Sequence, residues 1–172
     1  MSLDRRRSAG YMTNWAARLF ATAIERRLKP HGLATAHLPV FFALADGQAL
    51  AQKDLAAAAA VEQPTMAATL ARMERDGLVR RTPDPADGRS ALFALSEAAL
   101  RDLDAVRGAT DEVNALALAG LDEAERGSFL AMMEKVVAAL IADAPLKPAR
   151  TARRPTPAPG ASARPSEAKR RT

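Results

Sequence analysis

Cysteine is absent from the chain, which excludes disulfides, thiolate metal sites and thiol-based redox sensing. Aromatic residues are scarce, at 4%. Alanine is abundant instead, and it favours helices because it loses no side-chain entropy on helix formation. Long hydrophobic runs are missing too. The most apolar stretch, 33–45, is too short to span a bilayer and carries His37 and Pro39. Arg5, Arg6 and Arg7 are not followed by an apolar leader segment. These absences predict a soluble chain in the cytoplasm, with no membrane partner. No glycine-rich phosphate loop and no nucleophile elbow occurs, and His31 and His37 lack the spacing of a metal-binding helix pair. The carboxylates are scattered, so neither catalysis, a cofactor nor a metal is expected.

What is present is enough for one domain of ordinary size, with 172 residues of which 48% are hydrophobic. The net charge of +5 is unevenly spread. Residues 145–172 hold eight cations and one anion, a net +7, which leaves −2 for residues 1–144. The basic character therefore belongs to the tail and says little about the domain. Six of the eleven prolines also lie in 145–172. That composition cannot bury enough apolar area to offset the cost of ordering, so a disordered tail is expected. It is either a solvated appendage or a non-specific attractor of phosphates.

The remaining pattern is helical, with one hairpin. Met12, Trp15, Leu19 and Ala23 recur at helical spacing up to Leu28, and Pro30 with Gly32 ends that helix. Thr35 is placed to cap a second helix with Leu38, Phe41 and Phe42 inward. A third helix is expected over 55–60. A fourth runs from Gln63-Pro64 to Asp76, where Gly77 stops it. Residues 78–82 and 91–95 read as two strands around the turn formers Pro83 to Ser90. Ser96 is placed to cap a long helix, with Leu100, Leu103 and Val113 on one side. A last helix opens at Asp122, with Glu125 at capping-box spacing and an apolar stripe of Phe129, Met133, Val136, Val137 and Leu140. The fold class is mainly α with a small β-hairpin wing (α+β).

Two short helices, a tight junction and a hairpin follow in the order of a winged helix-turn-helix, in which the second helix of the pair enters the major groove of duplex DNA. In the fourth helix Met66, Leu70 and Met73 are expected to face the core. Thr65, Ala68, Thr69 and Arg72 are then left outward, where short polar groups and an arginine suit base edges and phosphates. Arg89 is expected at the hairpin tip, where a narrow minor groove would attract it. Asp87 is placed to hold its guanidinium.

From about Gly32 to Leu95 the chain resembles the MarR family of transcriptional regulators. The resemblance rests on QKDLA (52–56), VEQPTMAATLARMERDGLVRR (61–81), DPADGRS (84–90) and Leu95-Ser96. It implies a homodimer built by the first and the last two helices, a palindromic operator, and a minor-groove arginine at Arg89. It implies repression as the commoner outcome, and often a small aromatic ligand between the dimer helices and the reading head. Trp15, His37 and Phe41 lie on the helices where such a pocket forms in the family. Ala60 stands where glycine is common, Ala59 where leucine is frequent, and Ala68 where arginine or another polar residue is usual. That leaves Gln63, Thr65, Thr69 and Arg72 as the readers.

The expected division is an N-terminal dimerisation helix (1–31), a reading head (32–96), C-terminal dimerisation helices (97–144) and the tail (145–172). A wide apolar face on the last helix independently calls for a partner. The rival function is an architectural, weakly specific DNA binder that relies on the basic tail.

Overall fold

The computed structural model describes residues 4–143; the expected disorder of 145–172 lies outside the described residues. Helix α1 (Ala9–Leu28) starts where the Ser8 side chain accepts a hydrogen bond from the Tyr11 N–H at 3.3 Å. It tightens into a 3-10 turn over Lys29–His31, and Gly32 turns the chain with φ +69°. A second 3-10 turn, Thr35–His37, leads into α2 (Leu38–Leu44). Thr35 is not a cap there. Its hydroxyl donates back to α1, at 2.6 Å to Glu25 Oε2 and 3.2 Å to the Ala21 carbonyl. The predicted inward Phe42 is 65% exposed. Its neighbour Phe41 fills the core, on the helix face it shares with Leu38 and Leu44 at i−3 and i+3, and position 42 falls outside that face.

Strand β1 (Leu50–Ala51) precedes α3 (Gln52–Ala58) and α4 (Gln63–Arg75). Two residues are too few to show a period, which is why β1 escapes a sequence reading. Strands β2 (Val79–Asp84) and β3 (Asp87–Leu95) form the hairpin, in a three-stranded antiparallel sheet of order β1-β3-β2. Val79 pairs with Leu95, Arg81 with Phe93 and Leu50 with Phe93. Pairing continues to Asp84 and Asp87, so the strands are longer than predicted and only Pro85 and Ala86 form the tip.

The long helix expected after Ser96 is two helices, α5 (Glu97–Arg101) and α6 (Leu103–Ala117), with the break at Asp102. The break leaves Leu100 exposed while Val113 is buried. Ser96 does cap α5: its Oγ accepts from the Ala99 N–H at 3.1 Å. The same hydroxyl donates to the Gly77 carbonyl at 2.7 Å, and the Ser96 N–H bonds the Leu78 carbonyl at 3.0 Å. Helix α7 (Glu123–Asp143) opens on the expected reciprocal pair: the Glu125 N–H donates to Asp122 Oδ1 and the Asp122 N–H to Glu125 Oε2.

The core lies where α2, α3 and α4 meet the sheet and α6. Leu28, Val40, Phe41, Leu44, Leu55, Leu70 and Met73 are almost fully enclosed. Each such side chain contributes on the order of 1.5–3 kcal/mol by leaving water. Helix α1 packs along α6, and Arg27 Nε meets Glu112 Oε2 at 2.8 Å. Helix α7 buries none of its residues.

The junction between α3 and α4 bends through Ala60 at φ +50°. A β-carbon in that left-handed region costs ~1 kcal/mol or more. Ala60→Gly should therefore raise stability by up to ~1 kcal/mol, read as the urea midpoint at fixed protein concentration. A lower midpoint would show that the junction carries no such strain.

Candidate nucleic-acid interface

Helix α4 is oriented by its buried stripe. Met66, Leu70 and Met73 are 2%, 1% and 0% exposed, as their spacing predicts. Thr65, Ala68 and Arg72 are then exposed along one side, with Thr69 half-buried beside them. Pro64 starts the helix without wasting a donor, since first-turn N–H groups have no intrahelical partner. Gln63 sits at the first helical position, and its Oε1 accepts a hydrogen bond from Gln52 Nε2 at 3.1 Å.

A cleft of about 370 Å³ runs between α4 and the hairpin. Gln52 and Lys53 line it from α3, Gln63, Ala67, Ala71 and Glu74 from α4, and Arg81, Arg89 and Ser90 from the wing. Three cations against one carboxylate make this cleft electropositive, although the described domain as a whole is not basic. Lys53 and Arg81 were not singled out from sequence. Strand alternation with the buried Val79 was the signal available for Arg81, since it puts both on one face of β2. The same alternation sets Arg89 on the face of Phe93 and Leu95. Arg89 is thus a strand residue near the tip, rather than a tip residue.

Asp87 does not hold the Arg89 guanidinium. Its Oδ1 accepts from the Arg89 backbone N–H at 3.1 Å, and Asp84 Oδ1 accepts from the Ala86 N–H at 2.9 Å. Both aspartates shape the turn backbone, which is what short side-chain oxygens do best two residues from an N–H. The guanidinium of Arg89 stays exposed.

Trp15, His37 and Phe41 are not gathered in one cleft of the protomer. Phe41 is core. Trp15 is engaged edge-on by Tyr11 at 6.2 Å, and Arg5 lies over its ring at 5.5 Å. Glu25, which contacts the turn containing His37, is ten residues beyond Trp15 on α1, or about 15 Å along the axis. His37 is 4% exposed; its Nδ1 accepts from the Ala34 N–H at 3.2 Å and its Nε2 has no partner. Burial holds its pKa below the usual 6.5, and Arg72 adds to that, while Asp76 and Glu25 oppose it. Glu25 is itself lowered by accepting from the Thr35 hydroxyl and N–H. Among the described residues no cluster of histidines and carboxylates is arranged for a metal, and no helix is long and apolar enough to cross a membrane.

A short helix, a tight junction and a second helix with a cationic hairpin beside it define a winged helix-turn-helix protein. The family model for MarR matches residues 31–90. The transcriptional regulator HosA of Escherichia coli O111:H- is 36% identical over 98 residues, covering 57% of this chain and 73% of HosA. The HTH-type transcriptional repressor NicR of Pseudomonas putida is 30% identical over 95 residues, covering 55% of this chain and only 60% of NicR. The structure of a MarR-family regulator from Listeria monocytogenes complexed with a 26mer DNA superposes with a TM-score of 0.74 at 18% identity, covering 80% of this chain and 91% of that one. The chain belongs to the MarR family of transcriptional regulators.

His37 makes the fold sensitive to acid. With its folded-state pKa depressed, the unfolded chain binds the extra proton first as pH falls below about 6.5. Stability is then fully present above that value and is lost below it, until the folded state also protonates. Urea unfolding between about pH 7.5 and about pH 5.5 should show this loss in the wild type and a shallower one in His37→Leu. Equal slopes would remove His37 as the cause.

Proposed function

We propose that the chain is a repressor that binds a palindromic operator in duplex DNA as a homodimer. Residues 32–96 act as the reading head, and 1–31 with 97–144 as the dimerisation arms. The observation that carries this is the exposed side of α4 beside an electropositive wing cleft. Gln63, Thr65, Thr69 and Arg72 reach base edges and phosphates in the major groove. Arg89 and Arg81 meet the minor groove or the flanking backbone, with Asp87 holding the turn that presents Arg89. A MarR-family relative whose structure includes a 26mer DNA and a relative named as a repressor support the same reading.

The dimer is argued from unpartnered surface. Leu19, Leu116, Leu130, Met132, Leu140 and Ile141 are each more than half exposed. Apolar patches of that extent mark association sites. The arms are also complementary in charge: residues 4–31 hold seven cations and two anions, and residues 97–143 four cations and ten anions. Release by a small aromatic ligand rests on the family resemblance alone and stays outside this proposal.

Selection of bound DNA from a random pool tests the reading. It should return an inverted repeat with half-site centres one helical turn apart, ~34 Å. Binding without sequence preference would favour the architectural rival, in which the tail does the work. On the selected site Arg89→Ala should weaken binding by ~1–3 kcal/mol. A loss no greater than that of Arg101→Ala, on an arm, would discredit the wing. Sedimentation should give a species of twice 18.3 kDa. A monomer at micromolar concentration would sink the two-fold arrangement.

A further inference from the structure

The pairing of two glutamine side chains at the mouth of the wing cleft has a consequence for which base is read, given the major-groove role proposed for α4. Gln52 Nε2 lies 3.1 Å from Gln63 Oε1 and 3.4 Å from the Gln63 backbone carbonyl. A backbone carbonyl only accepts hydrogen bonds, so Gln52 must turn its NH₂ toward Gln63. The side-chain group of Gln63 facing that NH₂ must therefore be its oxygen. Its own NH₂ is left on the exposed side.

A glutamine with both ends free offers one donor and one acceptor, the combination that matches adenine N6 and N7. With its oxygen engaged by Gln52, Gln63 becomes chiefly a donor. Its charged neighbours in the cleft reinforce that bias. Lys53 and Arg89 are donors only, and the one carboxylate, Glu74, lies eleven residues further along α4, about 16 Å by helix rise. Guanine presents two acceptors in the major groove, N7 and O6. We propose that Gln52 is a positioning residue that fixes the Gln63 carboxamide as a donor, so that the half-site position read by Gln63 is guanine rather than adenine.

The test runs the random-pool selection in parallel on the full-length wild type, Gln63→Ala, Gln52→Ala and Gln52→Glu. Gln63→Ala identifies the position, as the one whose preference disappears. There the wild type should favour guanine over adenine by ~5-fold or more, the discrimination of one good base contact. Gln52→Ala should cut that ratio several-fold and leave the other positions unchanged, which also shows that the head is folded. Gln52→Glu presents a carboxylate that can only accept, so it should turn the Gln63 amide around and move the preference toward adenine. Its added negative charge weakens all sites alike and cancels in the ratio. Adenine preference in the wild type, an unaltered profile in Gln52→Ala, or a profile indifferent to Gln63→Ala each overturns the proposal. A selected motif that ignores Gln52 sinks this inference alone, whereas a wild type that selects no motif sinks the DNA-reading role and this inference together.

Discussion

The burial of Met66, Leu70 and Met73 fixes the rotation of α4 about its own axis, and everything outward of that helix depends on it. A turn of the helix by one position would expose a methionine or leucine at a cost of a few kcal/mol and hide the polar side. Thr65, Ala68 and Arg72 face outward for that reason rather than through contacts of their own. The stripe also decides where the wing cleft opens, since Leu70, Ala67 and Ala71 form its α4 wall.

A second set of contacts joins the winged helix-turn-helix to α1. Thr35 donates both its N–H and its hydroxyl to Glu25 Oε2, each at 2.6 Å, and two residues later His37 is buried near Arg72 and Asp76. The turn between α1 and α2 thus touches the long N-terminal helix on one side and the end of α4 on the other. The unpartnered His37 Nε2 is the weak point of this contact, because an unsatisfied buried donor costs free energy that a satisfied one does not.

Much of this was readable from the chain itself. Helical period gave the α4 face, Pro64 and Gly77 gave its ends, and the Asp122/Glu125 spacing gave a capping box whose two hydrogen bonds are both made. The hairpin is legible but not its full length, because turn-forming residues such as Asp84 and Asp87 also occupy the last rungs of the ladder. Periodicity could not decide between Phe41 and Phe42, which are adjacent and equally apolar. Nor does local sequence mark the break at Asp102, where the residues on both sides favour helix. At the candidate site, Thr65, Thr69, Arg72 and Arg89 follow from the sequence pattern, and Gln63 from the family resemblance. Lys53 and Arg81 join them only because the fold folds the wing over α3 and α4. Sequence separation alone does not show that Asp87 bonds the backbone N–H of Arg89 and not its guanidinium, since both belong to the same residue.

Ser96 has a wider effect than capping. One hydroxyl reaches the Gly77 carbonyl and the Ala99 N–H, and the Ser96 N–H holds the Leu78 carbonyl, so the end of α4, the root of the wing and the start of α5 are riveted at a single residue. Helix and hairpin therefore travel together as a stiff unit. The chain reaches this unit from α1 through the run from Lys29 to Thr35, with its left-handed Gly32. Losing the one Ser96 hydroxyl would therefore free the wing root from the end of α4 and uncap α5 in a single step.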